Sequence, residues 1–169
     1  MHNNEQSALR ELFLSQLQDI YDAEKQLTDA LPIMAQAATS DELRYSYELH
    51  LDVTQMQIDR LKRIFELLDS DAGNITCTAM EGLIEEGEDL IDTTEEGSMV
   101  RDCGLIIASQ KIEHYEIAAY GSLRAVAEIL NLEEIADLLQ ASLDEEKYTD
   151  ERLTELAVGF INEEAEDEG

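Results

Sequence analysis

Tryptophan is absent from the 169 residues, proline occurs once, glycine eight times and cysteine twice. So few chain breakers exclude a turn-rich β sandwich and leave long uninterrupted segments for helices. Cys77 and Cys103, both beside apolar residues, supply neither a disulfide framework nor a CxxC metal site and are expected as buried free thiols. Basic residues are scarce too, 11 against 40 acidic, for a formal charge of −29. Such a chain repels polyanions, which excludes nucleic-acid binding through a basic patch. Apolar runs stop after a few residues, as at Leu105-Ile106-Ile107-Ala108, against the roughly 20 needed to cross a bilayer, so no membrane span is expected. Residues 1–10 lack a basic stretch followed by an apolar one; no secretory signal is read there, and the expected location is the cytoplasm.

What is present is apolar and acidic at once. Apolar residues make up 44% of the chain, enough for a core, and the length suits a single domain over 1–169 whose acidic end, 163–169, is expected to fray. The acids are spread along every segment rather than gathered in one tail, a pattern that fits adaptation to a salty, halophilic cytoplasm. At molar salt the Debye length falls to about 3 Å and the self-repulsion of such a surface is screened.

Apolar residues recur at three- and four-residue steps. In 4–38 they are Leu9, Phe13, Leu17, Ile20, Leu27 and Leu31, with Pro32 predicting a kink or break. Thr39-Ser40-Asp41-Glu42 supplies turn and N-cap chemistry for a second helix that ends near Ser70 and carries Leu43, Tyr47, Thr54, Leu61, Ile64, Phe65 and Leu68. A shorter helix follows at 79–91, a third long one at 99–130 ended by Asn131, and a fourth at about 132–163. Four helices of about 25 to 35 residues can cover one another's stripes along their length. The crossover between the second and third long helices, about 28 residues, exceeds what an antiparallel hairpin needs. The expected fold class is therefore all-α, a ferritin-like four-helix bundle with a long helix-containing crossover, and a plain up-down-up-down bundle is the alternative.

Several carboxylates stand on the wrong face. At about 100° per residue, Glu24 falls in line with Phe13, Leu17, Ile20 and Leu31. On the third long helix Glu116 aligns with Leu105, Ile112 and Leu123, with Glu113 at the edge; on the fourth Glu146 aligns with Leu139, Ser142, Leu153 and Phe160, beside Thr149 and Asp150. Buried carboxylates need a proton, a basic partner or a cation. Lys111 and Lys147 point away, and hard oxygen ligands on facing helices suit iron or manganese. The second helix turns His50, Thr54 and Gln57 inward, and a neutral His50 imidazole can ligate. The ordinary alternatives are stripe-edge glutamates, a hydrogen-bonded core histidine, and packing roles for Tyr21, Tyr115 and Tyr120. No phosphate-cradling loop or nucleophile triad is legible.

Three segments carry a resemblance: Tyr21-Asp22-Ala23-Glu24-Lys25-Gln26-Leu27, Ala79-Met80-Glu81-Gly82-Leu83-Ile84-Glu85-Glu86, and the run from Gln110 to Gly121 that contains Glu113-His114-Tyr115-Glu116. With Asp144-Glu145-Glu146-Lys147 and Thr149-Asp150 they closely resemble the YciF/YciE-type ferritin-like family over nearly the whole chain. The resemblance implies a rubrerythrin-like bundle, a homodimer, a link to stress responses, and a di-metal site at Glu24, Glu113, Glu116 and Glu146 with Asp150. The second helix departs from that pattern: in His50-Leu51-Asp52-Val53-Thr54, Asp52 points outward, Val53 cannot ligate, and a complete Glu-x-x-His motif is missing. Two readings follow. One is a metal-binding protein whose iron or manganese acts on oxygen or peroxide; the other is a non-enzymatic structural or stress protein on the same scaffold that has lost its metal.

Overall fold

A helix begins where a side chain can satisfy its first free N–H groups. In the computed structural model, which describes residues 7–168, Ser7 caps α1 (Ala8–Ala37), Ser40 caps α2 (Asp41–Leu67), Cys77 caps α3 (Thr78–Thr93) and Ser98 caps α4 (Met99–Ile129). The expected start of the first helix at residues 4–6 lies outside the described residues. α5 (Glu133–Leu156) continues through a π-helical turn, Ala157–Ile161, into α6 (Asn162–Asp167).

The ends of α2 and α4 are equally specific. Asp69 and Asn131 adopt left-handed backbone, φ 49° and 57°. At each, two N–H groups fold back onto the last turn: Ser70 to Phe65 and Asp69 to Glu66, then Leu132 to Ala127 and Asn131 to Glu128. These are Schellman caps, which is why Asn131 stops its helix. Of the kink or break expected at Pro32, the break does not occur: α1 runs through it. The lost N–H lies near the helix end, and the core contacts of Leu31, Met34 and Ala35 hold the last turns in place.

Cross-links between elements give the topology. α2 and α4 run parallel, because Ser40 N–H donates to Asp102 (2.7 Å), the Tyr47 and Ser109 hydroxyls meet at 2.8 Å, and His50 lies 3.4 Å from Glu113. α1 turns back against α2 and α5 against α4, while α3 lies across α1 and α4. The fold is thus an all-helical bundle whose crossover lets its second and third long helices point the same way. Buried Phe13, Leu17, Leu27, Leu43, Leu61, Leu105, Ile112, Leu139 and Leu153 build one core. Each contributes about 1.5–3 kcal/mol when fully removed from water.

The acidic end, through residue 168, has a partner of its own. It is helical through Asp167, and the Glu168 carboxylate accepts the N–H groups of Met99 (2.8 Å) and Val100 (3.3 Å). The free N–H groups and positive end of the α4 dipole hold it there, which a polar composition alone does not reveal. Among the described residues no helix is long and apolar enough to cross a membrane.

Candidate metal centre

Helical phase carries four glutamates from three helices into the middle of the bundle. Glu24 of α1, Glu113 and Glu116 of α4 and Glu146 of α5 are completely buried, and His50 of α2 is 4% exposed. One donor atom from each of His50, Glu113, Glu116 and Glu146 falls within a group spanning no more than 4.8 Å. His50 is set between two of them, Nδ1 3.4 Å from Glu113 Oε1 and Nε2 3.7 Å from Glu146 Oε2. Glu24 adjoins this group, with the Tyr120 hydroxyl donating to its Oε1. Gln57 Nε2 donates to Glu146 Oε1 at 2.5 Å.

Satisfaction stops there. Both oxygens of Glu113, both of Glu116, one each of Glu24 and Glu146, His50 Nε2, Thr54 Oγ1 and Gln57 Oε1 are buried without a hydrogen-bond partner. Orphaned acceptors at this density are exceptional in a folded interior. Burial first, and then the neighbouring Glu146 charge, lifts Glu24, Glu113 and Glu116 well above the usual carboxylate range. Burial, reinforced by Glu24, does the same to the Tyr120 phenol. Without a cation the site holds protons; with one, oxygen and imidazole donors converge as in carboxylate-bridged metal centres. The residues present fit a hard or borderline divalent metal.

Five of the six residues expected at the site lie in or against this cluster. Asp150 is placed elsewhere, half-buried at the outer α4–α5 seam, where its carboxylate accepts from Gln110 and lies 3.2 Å from His114 Nε2. Tyr120 is the tyrosine that reaches the cluster; Tyr115 instead donates to Asp19, and Tyr21 packs edge-on against Phe65. Sequence reasoning overlooked Arg60, whose guanidinium grips Glu145 with two bonds of 2.9 Å and also donates to Ser142. Its position three residues after inward Gln57 was the available signal. Because that fork is taken by Glu145, it leaves the buried glutamates uncompensated. Lys111 pairs with Glu86 on the surface, away from the site as its helical phase predicts.

Comparison with known proteins agrees with the fold. The family described as Domain of unknown function (DUF892) matches residues 8–166. Protein YciF of Escherichia coli strain K12 is 44% identical over 159 residues, covering 94% of this chain and 95% of its own. The crystal structure of that protein, described as a stress protein, superposes with a TM-score of 0.88 over 92% of this chain and 98% of its own, at 43% identity. YcfI of Rhodopseudomonas palustris, given a provisional structural role, reaches 0.83 at 37% identity over 91% and 98% of the two chains. A Xanthomonas campestris protein reaches 0.75 at 25% identity over 96% and 99%.

Proposed function

The chain belongs to the DUF892 family, and from that premise we propose that it is a YciF-like stress protein whose bundle interior binds iron or manganese. The observation that carries this reading is the set of buried, unpartnered oxygens on Glu113, Glu116, Glu24 and Glu146 beside unpartnered His50 Nε2. Those five residues are the ligands in this reading. A redox-active metal held there supplies chemistry toward oxygen or peroxide. The protein's own part is positional: Tyr120 fixes Glu24 and Gln57 fixes Glu146. Because three of the glutamates hold protons when metal-free, loading releases protons and weakens as pH falls.

Metal analysis after anaerobic Fe(II) or Mn(II) loading tests the proposal. The expected result is near-stoichiometric uptake that Glu116→Ala abolishes; less than about a tenth of an equivalent in the unaltered protein rejects it. Val53, which withholds a ligand from α2, and the structural role given to YcfI favour a second reading, a scaffold without metal. In that case Fe(II) leaves the melting temperature unchanged.

Two further parts of the proposal concern the surface. Assembly as a homodimer follows the family resemblance and is checked by sedimentation. A charge of −29 makes stability depend on screening. The melting temperature is therefore expected to climb by several degrees as KCl rises from about 0.1 to about 2 M, and a flat series removes the salt adaptation.

A further inference from the structure

A groove of about 620 Å³ lies between α2 and α5 and ends on His50, a member of the cluster whose Nε2 is buried and unpartnered. Val53 and Thr149 line it beside the imidazole, and Leu49, Met56 and Tyr148, respectively 47%, 52% and 65% exposed, line it toward solvent. Exposed apolar side chains gathered along one seam of so acidic a surface mark a binding face rather than a solvated one. The volume, the apolar walls and two buried polar side chains, His50 and Thr149, are those of a small-molecule pocket. Charge restricts what enters. Glu42 and Asp52 line the same groove, and its one guanidinium, Arg152, is paired with Glu155, so anions are repelled.

We infer that this groove is the route by which small uncharged molecules with an apolar or aromatic body reach His50, at the margin of the buried acids. The inference rests on the metal reading for what such a molecule meets at the end of the route; the route itself exists in the metal-free protein. It also gives Val53 a role. Where the family resemblance leads one to look for a ligand, a compact apolar side chain leaves the way to His50 open.

Diethyl pyrocarbonate, small and uncharged, acylates imidazole nitrogen and reports the route on the metal-free full chain. His114, with a side chain 69% exposed, is the internal reference. His50 is expected to be modified within about tenfold of the His114 rate, read by peptide mass spectrometry, and Val53→Trp is expected to slow it by a further tenfold with His114 unchanged. Met56→Trp narrows the same groove from an exposed position and serves if Val53→Trp does not fold. Added 2-phenylethanol should protect His50, and the anion 3-phenylpropionate at the same concentration should not. The inference is overturned if His50 stays inert while His114 reacts, if a folded tryptophan variant reacts as fast as the parent, or if the anion protects equally. Protection that grows with protein concentration alone would assign the face to a second copy of the chain and also overturn it. Failure of the metal reading shows separately, as absent Fe(II) uptake with the His50 results intact.

Discussion

Two sets of buried acids stand on α4 about three turns apart. Asp102 is fully buried, and each of its oxygens accepts a backbone N–H, from Thr39 at 2.6 Å and Ser40 at 2.7 Å. It ties the α1–α2 turn to the start of α4. Glu113 and Glu116 are equally buried, yet none of their four oxygens finds a donor. Burial is common to both; partnership is not. A carboxylate with two amide donors is a structural fixture, whereas one walled in beside three others and an imidazole is waiting for something positive. That contrast, rather than acidity, identifies the candidate centre.

Substitutions can break the contrast from either side. Asp102→Ala strands two N–H groups at the turn and should destabilise the fold by about 2–4 kcal/mol in denaturant melts, with Fe(II) uptake preserved in the folded fraction. Glu113→Gln with Glu116→Gln should do the reverse, abolishing uptake without lowering metal-free stability, because neutral amides replace groups that are otherwise protonated. A melt series against pH sharpens this. Glu24, Glu113 and Glu116 are raised in the folded state, so the native protein binds more protons than the unfolded chain above the ordinary carboxylate range. Their stabilisation is complete below that range and is lost as pH rises through the folded values. Metal-free melting temperature should therefore fall as pH rises above the ordinary carboxylate range, and the double glutamine variant should flatten the fall. The smallest effect is expected at Glu168, which like Asp102 sits on backbone N–H groups but in contact with water: Glu168→Gln should cost about 0.5–1 kcal/mol.

Legibility followed the same division. The long helices and the inward phase of Glu24, Glu113, Glu116 and Glu146 were readable because apolar periodicity records which side of a helix is dry. Asp102 was not, since an acid in a helix's first turn is ordinary and its partners, Thr39 and Ser40, are more than 60 residues away. Asp150 shares Glu146's face by spacing, but Gln110 and His114 offer it partners at the outer seam. Arg60 escaped notice because it reaches Glu145, one residue from the inward position, and helical phase says nothing about where a long side chain ends. The terminal acids read as a fraying tail because the capping N–H groups they meet belong to a distant helix. In each case the missing information was the identity of the partner.

The parallel course of α2 and α4 has an electrical consequence. Each long helix runs opposite to the two long helices it packs against most extensively, so the peptide dipoles around the bundle alternate and their axial fields largely cancel at its centre, where end effects have already died away. Glutamates gathered there receive almost no help from the backbone in carrying negative charge. Whatever neutralises them has to arrive from outside the polypeptide.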